Sequence, residues 1–322
     1  MMARWSRRSR TVVRWTASIA IIAIVGYFFA SALAANWEQV VELDIQFNAW
    51  SVGAIVLFAV AVPLSGLLWW QMLRMLTTTR VRVLEVVAVQ CLSWILKYVP
   101  GQVGSVANKL VWAHGRGISK SLVAITFVYE NAFLLTASIV PSVAILLASL
   151  GSQIFVDNAT SLLLPLLVLI PFVVIANPRW FHWIVSQLIR RTLKREVPAE
   201  YFLSSRQGLL LQLEFFVPRA LNGIGFLFVG ASVLDLAPNT WLPLASAYVL
   251  AGAIGILAFF VPSGLGVREA VIVLIASQYM PTAQAVVLAL LSRLFATAAD
   301  ALVAALYGIL RLIDRKKGLS PQ

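Results

Sequence analysis

Apolar stretches long enough to cross a bilayer recur along nearly the whole chain, and this leaves it one kind of fold. About 20 apolar residues at about 1.5 Å rise each span the hydrocarbon core as a helix. Residues 12–35, 50–76, 121–150, 207–234 and 283–310 all reach that length. Residues 161–176 make a shorter sixth span, with Pro165 and Pro171 expected to kink it. Within lipid each backbone N–H and C=O needs a partner in its own segment, so these runs must be helical. The content of the 322 residues agrees: 61% are hydrophobic, 12% charged, and mean hydropathy is +0.89. A soluble domain is roughly 45–50% apolar and about 25% charged. The expected fold is therefore all-α: a polytopic membrane bundle, one integral domain over residues 1–322.

Loop charges orient it. Arg4, Arg7, Arg8, Arg10 and Arg14 precede the first run without an acid among them, and cytoplasmic flanks carry such excess. A basic start before an apolar run also suits a signal peptide. The run is a full span long, so it reads as a retained helix. The loop 36–48 holds Glu38, Glu42 and Asp44 with no base, bracketed by Trp37 and Trp50, and belongs outside. Residues 177–206 form a basic cytoplasmic connection, with an amphipathic surface helix over 179–195 whose Trp180, Phe181 and Trp183 dip into the interface. Arg311, Arg315, Lys316 and Lys317 keep the end inside. Both termini are thus expected in the cytoplasm, in a cytoplasmic (inner) cell membrane. The net charge of +12 is explained by these flanks and anionic lipid, with no nucleic acid implied.

Two apolar runs are interrupted. The first carries Tyr98-Val99-Pro100-Gly101-Gln102-Val103-Gly104, with Lys97 before and Lys109 after the break. The second carries Val261-Pro262-Ser263-Gly264-Leu265-Gly266-Val267, followed at once by Arg268 and Glu269. Proline removes a backbone donor, and glycine permits conformations closed to other residues. Pro100, Gly101, Gly104, Pro262, Gly264 and Gly266 are the expected loop or hinge positions. Broken backbone at membrane depth is tolerated where protein or a polar cavity meets it. Residues 84–113 and 241–280 each read as a re-entrant hairpin, one entered from each side of the membrane. A shallow spanning pair gives the first the same topology. Glu130 stands 30 residues past Pro100, and Arg293 stands 31 past Pro262. Matched interruptions in the halves 50–176 and 207–310 point to an inverted internal repeat.

Glu130, Glu214, Arg219, Arg268, Glu269, Arg293 and Asp300 lie in or beside apolar runs. A charge at a helix centre costs about 2.5–3.5 kcal/mol on insertion scales, so these should face inward and pair. Glu214 and Arg219 flank Pro218, whose kink brings them together or splays them. As interhelical ion pairs they would hold register. As a lining for a cavity at the two breaks, Lys109, Glu130, Arg219, Arg268, Glu269, Arg293 and Asp300 form a substrate site. Arginine grips phosphate with a two-pronged fork, and a helix N-terminus adds free N–H groups. A lipid headgroup fits, and so does a small soluble anion. Cys91 is a lone cysteine, and His114 and His182 are scattered, so neither a disulfide nor a metal site is expected, and no cofactor.

Pro262-Ser263-Gly264-Leu265-Gly266-Val267-Arg268-Glu269-Ala270, with Arg293, resembles the second signature of the lysylphosphatidylglycerol synthase transmembrane-region family. Tyr98-Val99-Pro100-Gly101-Gln102-Val103-Gly104, with Gly117-Ile118-Ser119 and Tyr129-Glu130, is similar to the first. The resemblance covers roughly residues 85–310. It implies a bundle with re-entrant helices and lipid flippase activity. In the multiple peptide resistance factor such a region flips aminoacylated phosphatidylglycerol, and other members are implied to handle other lipids, polyprenyl-linked sugars included. Two positions depart from the pattern: Lys109 and Asn131 stand where the family tends to have arginine.

Three functions compete. A translocase for a phosphate-bearing lipid, phospholipid or polyprenyl-linked, needs the cavity. A membrane enzyme on a lipid-linked substrate needs an acid/base or metal-binding carboxylate cluster, and no Asp-x-Asp or His-carboxylate cluster occurs. An accessory subunit for a separate synthase or glycosyltransferase needs ion pairs and no cavity. The soluble aminoacyl-transferase domain is not in this sequence, so the expectation is not an enzyme. No Gly-x-x-x-x-Gly-Lys-Ser/Thr loop for ATP is present. Oligomeric state stays open, a homo-oligomer included.

Overall fold

A computed structural model describes residues 34, 47–98, 103–150, 178–193, 198–258, 261 and 264–316. Among them the chain is helical and no strand occurs. We number the helices α1 (Ala49–Leu76), α2 (Val83–Ile95), α3 (Val103–Gly115), α4 (Lys120–Leu150), α5 (Pro178–Leu193), α6 (Ser205–Glu214), α7 (Phe216–Ala231), α8 (Trp241–Leu257), α9 (Val267–Ala276) and α10 (Thr282–Lys316). The expected spans 12–35, save residue 34, and 161–176 lie outside the described residues.

Five stretches are long and apolar enough to cross a membrane: Ala49–Leu76, Lys120–Ser149, Ala199–Ala231, Pro238–Leu257 and Thr282–Asp314. Four correspond to expected full spans. The fifth is the first arm of the second expected hairpin, which at 20 residues is long enough to cross by itself. Its second arm, α9, has 10 residues, about 15 Å of helix. The two arms of the first hairpin, α2 and α3, have 13 residues each.

Local chemistry sets the boundaries. Asn48 starts α1 by accepting from the Trp50 and Ser51 amides, while its Nδ2 donates to the Ser232 carbonyl at the end of α7 (3.1 Å). Ser204 and Gln207 form a capping box at α6. The helix is interrupted at Phe215, four residues after Leu211 and three before Pro218, the residue that cannot donate to the Glu214 carbonyl. After α2 the backbone tightens into a 3₁₀ turn at Leu96–Tyr98. After α8, Gly264 (φ 63°) and Gly266 (φ 82°) turn the chain into α9.

Packing is reciprocal between the halves. α1 lies against α7; α2 packs on α1 and α3, while α8 packs on α7 and α9; α2 meets α10, while α8 meets α4. Two apolar clusters hold the bundle. Phe133, Phe215, Tyr129 and Leu211 anchor one; Phe226, Tyr248, Leu244 and Leu288 anchor the other. Cys91 is fully buried among apolar neighbours, as its place on a helix face suggests. Phe181 does not dip into a lipid interface: it is 3% exposed and stacks on Tyr129 with ring centroids 4.1 Å apart, because α5 lies against α4.

Candidate functional site

A cavity of about 170 Å³ opens where the two interrupted helix pairs meet. α2 supplies Gln90, Ser93 and Trp94 to its wall, with Lys97 from the 3₁₀ turn; α3 and α4 supply Lys109, Glu130 and Asn131. From the other half come Arg219 and Asn222 of α7, Tyr248 of α8, Arg268 of α9 and Asp300 of α10. Each half thus contributes its broken segment and the long helix beside it.

Most of the charge is paired. Lys109 is 1% exposed and donates to Glu130 Oε2, while Gln90 Nε2 donates to Oε1 at 2.6 Å. The Lys109 ammonium also sits 4.3 Å from the centre of the Trp69 ring, a cation–π arrangement. Asn108 ties α3 to α2, donating to the Val89 carbonyl (3.1 Å) and Ser93 Oγ (2.9 Å). Across the cavity, Asp300 accepts from Trp94 Nε1 at 2.6 Å and lies 2.8 Å from Lys97 Nζ. Lys97 in turn lies over the Trp94 ring at 4.0 Å.

Two arginines differ. Among the described residues neither Arg219 nor Arg268 has a carboxylate within ion-pair distance. Arg219 is 9% exposed, and its Nε is buried with no hydrogen-bond partner among the described residues. The Arg268 guanidinium carbon lies 5.2 Å from the centre of the Tyr248 ring. Both side chains run over the glycine face of α8: a Cβ on Gly252 would meet Arg219 Nη1 at 4.0 Å, and one on Gly255 would meet Arg268 Cγ at 2.6 Å.

The sequence matches the family described as the lysylphosphatidylglycerol synthase TM region over residues 15–304. The chain belongs to that family. Membership gives it a lipid-related role in the membrane. No curated protein matches the sequence.

For this family member the structure brings Lys109, Glu130, Arg219, Arg268 and Asp300 into one cavity wall. Glu269 and Arg293 are not in that wall among the described residues. Glu269 accepts from the Gly266 amide at 2.6 Å, closing the first turn of α9, and its other oxygen lies 3.6 Å from Arg293 Nη1. They brace the loop behind the site. Gly264 lines the cavity and Gly266 caps α9. Gly104 is already helical, the second residue of α3, because the backbone has resumed helical geometry by Val103. Pro100, Gly101 and Pro262 lie outside the described residues. Glu214 and Arg219 are splayed by the interruption at Phe215: Glu214 accepts from Gln71 Nε2 at 3.1 Å, while Arg219 faces the cavity. Gln90, Trp94, Asn222 and Tyr248 complete the site. A polar residue within an apolar run was the available signal for Gln90 and Asn222, three positions after Arg219. Trp94 and Tyr248 carry no such mark.

Proposed function

We propose that the chain translocates lipids whose headgroup bears a phosphate, the head passing through this cavity while the tails stay in the bilayer. The observation that carries this reading is the pair Arg219 and Arg268, held at the cavity without an ion-pair partner among the described residues. A buried cation with no anion is unfavourable, and a guanidinium matches phosphate geometry. Family membership supports a lipid as the source of that phosphate.

An inverted repeat with two re-entrant hairpins belongs to the same proposal. The reciprocal packing of α2 with α10 and α8 with α4 supports it, as does the half-length α9. So does an exchange of charge: Lys109 pairs with Glu130 in one half, Glu269 with Arg293 in the other. We place both termini in the cytoplasm of a cell-membrane protein, without enzymatic activity of its own. An accessory role beside a separate synthase or glycosyltransferase is favoured by the ion pairs Lys97–Asp300, Lys109–Glu130 and Glu269–Arg293 and opposed by the cavity.

Purified protein in liposomes, with tail-labelled phospholipid and an impermeant quencher, tests the proposal. Wild type is expected to expose inner-leaflet label. Arg219→Gln and Arg268→Gln, retained in folded form, are expected to slow it sharply. Wild-type liposomes no faster than protein-free ones, across phospholipids and polyprenyl phosphates, would leave the accessory role.

A further inference from the structure

We infer that this cavity selects phosphate headgroups that carry no amine, so that net-anionic lipids are its substrates and zwitterionic or aminoacylated ones are not. The inference rests on the translocase reading and narrows it.

Both carboxylates that face the cavity are already neutralised by the protein. Each oxygen of Glu130 accepts a hydrogen bond, one from Gln90 and one from Lys109. Each oxygen of Asp300 is likewise engaged, by Trp94 and Lys97 on one side and Lys97 on the other. A headgroup ammonium entering here would meet carboxylates whose charge a lysine already balances. The next nearest acid, Glu269, is held by the Gly266 amide and Arg293 and is not in the wall.

Aromatic faces offer no second route. Quaternary and primary ammonium groups bind over aromatic rings. Of the aromatic rings in the wall, Trp94 carries Lys97, Tyr248 carries Arg268 and stacks on Phe58, and Phe127 lies 5.9 Å from the Lys109 ammonium. Three of these four rings thus already face a cation of the chain.

Among the described residues the wall therefore holds four cations, Lys97, Lys109, Arg219 and Arg268, against two carboxylates, Glu130 and Asp300. The excess of two positive charges resides on the arginines, one of them more than nine-tenths buried with an unpartnered Nε. A phosphate monoester or diester satisfies them. A phosphate tied to choline, ethanolamine or a lysyl group brings a cation into a site with no acceptor for it, which is how a site rejects a wrong ligand.

The test uses the full chain and two readouts. In liposomes, transport is compared for tail-labelled phosphatidate, phosphatidylglycerol and polyprenyl phosphate against phosphatidylethanolamine, phosphatidylcholine and lysyl-phosphatidylglycerol. In detergent, short-chain forms of these lipids, and inorganic phosphate, are titrated while the unfolding temperature is followed. The anionic group is expected to move at least about tenfold faster and to be the group that stabilises the protein. Lys97→Met, which removes the lysine that balances Asp300, is expected to raise lysyl-phosphatidylglycerol transport relative to phosphatidylglycerol. Lys97→Gln, which removes the same charge but keeps a polar end, tests the point should the first variant fold poorly. Equal rates for all headgroups would overturn the selectivity and leave the translocase reading standing. Stabilisation by inorganic phosphate as strong as by phosphatidate, with no lipid moved, would assign the site to a soluble anion and sink both. Stabilisation by none of the anions would overturn the anion site itself.

Discussion

Lys109 and Glu130 form an ion pair across the α3–α4 contact with both side chains buried. Removing one partner leaves the other charge without compensation, whereas removing both leaves apolar surface. Lys109→Met is expected to cost about 3–5 kcal/mol, and Lys109→Met combined with Glu130→Leu markedly less. Unfolding in detergent, followed for the two single variants and the double, checks this. Single effects that merely add would show that the pair is not coupled.

Gly255 is the floor under Arg268. An added Cβ would fall 2.6 Å from Arg268 Cγ and 2.9 Å from Cδ, close to the root of the side chain, where it cannot swing away cheaply. Gly255→Ala is expected to slow headgroup transport on the order of 10- to 100-fold, as misplaced binding groups do. Gly252→Ala, with its new Cβ at 4.0 Å from Arg219, is the control and should change the rate little. Equal rates in both variants would remove Arg268 from the site.

The turn into α9 depends on Gly264. Its φ of 63° is left-handed, and a Cβ there would lie 2.8 Å from the Gly255 Cα. Gly264→Ala is expected to destabilise by more than the roughly 1–2 kcal/mol of handedness alone. Gly117 has a similar φ of 68° but open space around it, so Gly117→Ala measures the handedness cost by itself. The difference in unfolding temperature between the two isolates the close approach of α8 to this loop. No difference would refute that approach.

Helix α5 is docked through Phe181. The side chain is buried against Tyr129, whose hydroxyl accepts from the Leu203 amide at 3.1 Å. Truncating a buried phenylalanine costs about 3–5 kcal/mol, enough to release a short surface helix. Phe181→Ala should therefore raise hydrogen exchange across 178–193, and Trp183→Ala, at a residue 62% exposed, should not. Matching exchange in the two would mean that lipid rather than Tyr129 holds α5.

The helical class, four of the five long spans and both helix breaks were legible because each rests on local chemistry. Apolar runs demand helices, and Pro-Gly clusters end them. Five of the seven expected substrate-site residues line the cavity for a similarly simple reason: charge in an apolar run turns inward. The same reasoning does not tell a wall from a brace: Glu269 and Arg293 pair with each other and are not in the wall among the described residues.

The order of residues is enough to make this chain a membrane helix bundle with two broken segments and ionisable residues beside them. The physical reasons are the cost of unpaired backbone and of charge in an apolar medium. Packing alone settles which charges neutralise one another and which have no ion-pair partner among the described residues. Lys97 and Asp300 lie 203 positions apart and Lys109 and Glu130 lie 21 apart, so no spacing rule pairs them. Ion pairing depends on distances of a few ångströms between helices remote in the chain, and those distances exist only once the two halves have packed.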